Sequence, residues 1–129
     1  MSLGRLAESV HAALRKPNVT LTVSSETALL SKTRATAIGT IVDELLTTAL
    51  TQRFPEQRQG TIRVDSRPLP DDRIEVSISD DGLSETLFGQ PSRTSYERQL
   101  LERLTAHAKG TIRYEINPGT RSIITLDPE

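Results

Sequence analysis

One long amphipathic segment, from about Thr33 to about Arg53, limits the fold of this chain more than any other feature. Ile38, Val42, Leu45, Leu46 and Ala49 recur at the three- and four-residue spacing of a helix, and Pro55 bounds it on the C-terminal side. A helix with one apolar stripe needs a second layer to cover that stripe. The remaining segments supply mainly strands. Val19, Leu21 and Val23 alternate, as do Thr61 to Arg67 and Arg73 to Ser79, the last two joined as a hairpin through Pro68-Leu69-Pro70-Asp71-Asp72.

Before the first strand, Leu6, Val10, Ala13 and Leu14 repeat at helical spacing until Pro17. Ser24 to Lys32 reads as a polar connection, and Asp80 to Arg93, rich in Gly, Ser, Asp and Pro, reads as a loop. A second long helix is expected from about Ser95 to Ala108, with Tyr96, Leu100, Leu101 and Leu104 inward and Gly110 ending it. Ile112, Tyr114 and Ile116 then form a strand, Asn117-Pro118-Gly119 a turn, and Arg121 to Leu126 a last strand. The order of elements predicts an α+β fold, a two-layer sandwich with helices on one face of a mixed sheet. Alternation along the strands implies one solvated sheet face.

The 129 residues suit a single domain, 1–129, large enough to bury a core without staples. Aromatic residues are 3% of the chain, so that core must be Leu, Ile, Val and Ala. The absence of cysteine excludes disulfides and thiolate metal sites and fits a reducing, cytoplasmic compartment. A formal charge of −1 gives no global field for nucleic acid or anionic lipid. Acids intervene in the series Arg53, Arg58, Arg63 and Arg67, and Phe54 is the lone aromatic within it, so it reads as solvated charge. No apolar run approaches the ~20 residues of a membrane span, and no nucleophile triad or metal cluster of convincing spacing is present.

Two constellations carry possible chemistry. Glu44, Thr48 and Thr51 are spaced i, i+4, i+7 and share a helix face away from the Ile38–Val42–Leu45–Ala49 stripe. One face can then pack while the other lines a pocket. Asp80-Asp81-Gly82 closes a strand. Blander readings exist for both: Glu44 as an exposed helix carboxylate, and Asp80-Asp81-Gly82 as an ordinary turn. His11 and His107 read as surface or satisfied histidines.

Taken together, Arg5-Leu6-Ala7-Glu8-Ser9, Asp43-Glu44-Leu45, Phe54-Pro55-Glu56, Ile74 through Gly82, Lys109-Gly110-Thr111 and Pro118-Gly119-Thr120-Arg121 make the chain resemble a known family. It is similar to the ATP-binding domain of histidine kinases in the GHKL superfamily, and most of all to HWE-type bacterial kinases. The resemblance spans nearly the whole chain and implies a Bergerat-type sandwich, an ATP and magnesium site, and work beside a phosphoacceptor/dimerisation domain or a response regulator.

The family's first box reads roughly Asn-Glu-Leu-x-x-Asn-Ala-x-Lys-His. Here Asp43 takes its first position, Glu44, Leu45 and Ala49 match, Thr48 stands at the magnesium-binding Asn, Thr51 at the phosphate-binding Lys, and Gln52 at the His. In the second box, Asp-x-Gly-x-Gly, Asp80 matches the carboxylate that accepts from the adenine amino group, Gly82 matches, and Ser84 replaces the second Gly. The glycine-rich phosphate loop has no counterpart, and Glu97 falls about where a phosphate-contacting Gly belongs. A carboxylate ~4 Å from a phosphate charge repels it by roughly 4 kcal/mol at an effective dielectric of 20.

The resemblance therefore implies cofactor-binding positions at Glu44, Thr48, Asp80, Gly82 and Ser84, with Glu44 the candidate catalytic residue, and weak or absent Mg-ATP binding. Magnesium requires hard oxygen ligands in near-octahedral geometry, and a Thr hydroxyl reaches less far than an Asn amide. Neither His lies in the His-Arg-x-x-Asn context of a phosphoacceptor, whose helix is expected before Gly4. The alternatives are an active kinase domain acting on a histidine of a separate dimerisation domain, and a partner-binding switch resembling anti-sigma-factor kinases.

Overall fold

The computed structural model describes residue 12 and residues 18–25, 31–52, 59–82, 95–115 and 119–128. Five strands and two helices lie within them: β1 (Val19–Ser25), α1 (Lys32–Gln52), β2 (Gly60–Pro68), β3 (Ile74–Asp80), α2 (Ser95–His107), β4 (Gly110–Glu115) and β5 (Thr120–Leu126). They form one sheet in the order β1-β2-β3-β5-β4. β1 and β2 pair in parallel across the α1 crossover, and every other pair is antiparallel. The expected mixed sheet of an α+β sandwich is what forms. The expected first helix lies outside the described residues, apart from helical Ala12.

Ser31 stands just before α1, at the end of the stretch expected as a connection. Its Oγ accepts from the Arg34 N–H at 3.3 Å, and its carbonyl from Ala35 N at 2.8 Å. This is an N-cap, a device that stabilises a helix by about 1 kcal/mol. Arg34 is itself buried, and its guanidinium donates to the Asp127 carbonyl, tying the start of α1 to the chain beyond β5. Along α1, Ile38, Ile41, Val42, Leu45, Leu46 and Ala49 are buried against Ile62, Val64, Val76, Ile78, Ile124 and Leu126 of the sheet. Leu101 of α2 joins the same core.

Two expectations about α2 need correction. Leu100 does not point inward; it is 41% exposed, while Leu101 is fully buried. A helix on the surface of a two-layer domain buries a stripe, and adjacent residues lie 100° apart around it. The left-handed residue that ends the helix is Lys109 (φ 62°), not Gly110. Gly110 answers a different demand: a Cβ there would lie 2.6 Å from the Thr125 carbonyl oxygen and 2.8 Å from Leu126 Cδ2. In the β2–β3 hairpin, Asp71 and Asp72 both take positive φ (64° and 60°), which Asp tolerates better than most residues.

The pleat separates the two sheet faces. Ile62, Val64, Val76, Ile78, Ile124 and Leu126 point to the helices, and Arg63, Asp65, Arg67, Glu75, Ser77, Arg121 and Ile123 share the outer face by cross-strand register. Alternation in exposure is clean in β2 and β4 and fails in the central strands. Glu75, Ser77 and Ile123 are buried although they face outward, each on a strand with a paired neighbour on both sides. No helix among the described residues is long and apolar enough to cross a membrane.

Candidate functional site

α1 supplies the first part of the candidate site. Glu44 and Thr48 lie one turn apart on the same side of the helix, and Thr48 Oγ1 donates to Glu44 Oε1 at 3.4 Å, a long and weak contact. Glu44 is half-buried and Thr48 only 5% exposed. The expected division between a packing face and a separate pocket face is therefore blurred at Thr48. The sheet covers one side of α1 and α2 another, so burial extends around most of the helix. The side chains of Thr51 and Glu97, and all of Ser84, lie outside the described residues.

β3 supplies the second part. Asp80 is its last residue and follows Ile78 by two, so it continues the helix-facing side of the sheet to the strand end. Its Oδ1 accepts from the Gly82 N–H at 3.0 Å, closing the turn that leaves the strand. Asp81 points elsewhere: its Oδ1 accepts from Thr61 N at 2.7 Å and its own N–H donates to the Thr61 carbonyl at 3.3 Å. The chain leaving β3 is thereby pinned to β2. Gly82 is buried, whereas Asp81 before it is exposed.

Two residues that the sequence reading did not count in the site stand against Asp80. Gly119 has φ 72°, and a Cβ on it would lie 2.0 Å from the Asp80 carbonyl oxygen, so only glycine fits. Thr120 pairs with Asp80 in the β3–β5 register, is buried, and its hydroxyl has no hydrogen-bond partner. The signal for both was the Pro118-Gly119-Thr120-Arg121 run, which reads locally as a turn and acquires a neighbour only through long-range pairing. The structure thus joins Glu44 to Thr48 and Asp80 to Gly82. A groove of about 450 Å³ between the helices, lined by Lys32, Thr36, Ala37, Thr40, Leu104 and His107 among others, contains none of these residues.

Solved structures place this architecture. The blue-light activated histidine kinase EL346 of Erythrobacter litoralis superposes with a TM-score of 0.85 at 21% identity, over 96% of this chain and 40% of that one. The mycobacterial sensor histidine kinase MprB gives 0.71 at 14% identity, over 100% of this chain and 99% of that one. The catalytic domain of the histidine kinase ThkA gives 0.68 at 20% identity, over 100% of this chain and 96% of that one. This chain has the fold of a histidine-kinase ATPase domain. In sequence, the histidine-kinase-type domain is 28% identical over 80 residues to Blue-light-activated histidine kinase 2 of Erythrobacter litoralis (strain HTCC2594). That match covers 62% of this chain and 23% of the relative, so the domain spans about a quarter of that protein's length. No family model matches it.

In the histidine-kinase-type domain, Asp80 and Thr120 form a polar corner on the helix-facing side of the sheet, at the end of β3. Asp80 is a carboxylate, an acceptor with several lone-pair sites, one of which takes the Gly82 N–H. Thr120 adds a buried hydroxyl that can donate or accept. Among the described residues no group of three or more His, Cys, Asp or Glu is placed to hold a metal ion.

Proposed function

We propose that this chain is the ATP-binding/catalytic-type domain of a bacterial two-component sensor histidine kinase, acting in signal transduction, in which the grip on adenine persists and Mg-ATP is bound weakly or not at all. Asp80 and Thr120 support the purine side. Asp80 offers an acceptor to an exocyclic amino group, and the unpartnered Thr120 hydroxyl beside it is a polar atom that a ligand or a bridging water would satisfy.

Thr48 carries the proposal against magnesium. The residue is buried and its hydroxyl turns to Glu44, so it presents no extended oxygen to a cation. Thr51 supplies no positive charge where a triphosphate needs one. These residues do not fit a magnesium–triphosphate group. The domain then acts through a protein partner, a phosphoacceptor/dimerisation domain or a response regulator, as a module whose fold has outlived part of its chemistry.

Titration calorimetry with ADP and ATP, each with and without magnesium, tests this. Weak or absent heat that magnesium does not change is the expected result. Micromolar, magnesium-dependent ATP binding overturns the proposal in favour of an active kinase domain. A triple variant, Thr48→Asn with Thr51→Lys and Glu97→Gly, is expected to gain magnesium-dependent ATP binding that the parent lacks.

A further inference from the structure

The outer face of the sheet, opposite α1 and remote from Glu44 and Thr48, carries a second constellation. Arg63, Ser79 and Arg121 lie in one cross-strand row, with Ser79 in the middle. The two arginine backbones stand two strands apart, ~10 Å, which two guanidiniums can span from opposite sides. In the adjacent row Ser77 lies between Asp65 and Ile123. A cavity of about 190 Å³ is lined here by Arg63, Asp65, Arg67, Glu75, Ser77 and Arg121 among others, and Ser79 borders it from the next row.

The charges in this cavity are unequally matched. Arg67 binds Glu75 at 2.6 Å, a close pair with a mostly buried carboxylate. Arg63 meets Asp65 only at 3.7 Å, and both side chains are substantially exposed. Such exposed pairs contribute little and exchange partners easily. Arg121 is exposed and has no ion pair among the described residues. Glu115 stands across from Arg121 in the β4–β5 register and meets Arg113 at 3.9 Å, so this face sets Arg63, Arg67, Arg113 and Arg121 against Asp65, Glu75 and Glu115, with one positive charge in excess.

We infer that the Arg63–Ser79–Arg121 row, with the Ser77 hydroxyl beside it, is a binding site for a phosphate-type oxyanion. The donor arrangement selects the ligand class. A planar carboxylate is satisfied by one bidentate guanidinium. Guanidiniums from two sides and serine hydroxyls from below demand acceptor oxygens pointing in non-planar directions, which a tetrahedral phosphoryl group supplies. The site stands on the opposite sheet face from the proposed nucleotide pocket, so its fate is independent of that reading.

The test is a titration of the whole chain with inorganic phosphate at constant ionic strength, followed by nitrogen–proton correlation spectra of the arginine side chains and the β3 amides. Saturable shifts at Arg63, Arg121 and Ser77 are expected. The double variant Arg63→Gln, Arg121→Gln should weaken binding at least about tenfold, the loss of one or more charge-assisted bonds. Arg113→Gln serves as the control, since Arg113 shares the outer face but leans to Glu115 at 3.9 Å, outside the cavity. Shifts that stay linear with concentration, or an equal loss in Arg113→Gln, overturn the site in favour of general screening. A parallel titration with a peptide carrying one phosphoserine separates the sources. Binding tenfold tighter than inorganic phosphate assigns the site to a phosphorylated protein, and equal affinity assigns it to the free ion.

Discussion

The strand-end corner at Asp80 and the helix pair Glu44–Thr48 belong to one candidate site, yet they are held by different means. At the corner the backbone decides. Gly119 lies against the Asp80 carbonyl so closely that no Cβ fits, and Asp81 pins the following chain to Thr61 with both its side chain and its N–H. On α1 a single long hydroxyl contact joins two side chains. A feature built from backbone packing cannot change one residue at a time without strain. A feature built from one side-chain contact can be replaced freely, and the departures from the family pattern at Thr48 and Thr51 fall on α1.

That contrast can be broken by measuring stability. Gly119→Ala forces both a left-handed alanine and an impossible approach to Asp80. Strain and overpacking together should cost at least about 3 kcal/mol in urea unfolding. A loss below ~1 kcal/mol would mean that the corner relaxes and is no more rigid than the helix. Asp81→Ala removes the 2.7 Å bond to Thr61 N at an exposed site, and a loss of about 1 kcal/mol is expected by the same measurement. Thr48→Val keeps shape and burial while deleting the 3.4 Å contact to Glu44, so its effect should stay within about 0.5 kcal/mol. If Thr48→Val instead costs as much as Asp81→Ala, the helix pair is as firmly held as the corner and the contrast fails.

Much of the fold was legible in the sequence because periodicity reports burial directly. The α1 stripe, the alternating β2 and the hairpin Pro68 to Asp72 formed within a residue or two of their expected limits. Reading failed where one residue served two neighbours. Leu100 carries the same apolar signal as Leu101, and only the position of α2 over the sheet decides which is covered. Gly110 looked like a helix terminator, but its lack of a Cβ serves the close approach to Thr125 and Leu126. Of the candidate site, Glu44, Thr48, Asp80 and Gly82 were named from sequence, whereas the role of Gly119 and Thr120 beside Asp80 needed the β3–β5 register.

The amino-acid sequence alone set the layered architecture, because repeats of 3.6 and 2 residues say which side of each element avoids water. It also fixed the chemical types available on α1, including a hydroxyl where an amide was expected at Thr48. The tertiary structure alone decided that this hydroxyl is buried and turned to Glu44, and that Arg63 and Arg121 flank Ser79 on the outer face. Residues 58 positions apart become neighbours in a row only through strand pairing, which local spacing does not encode.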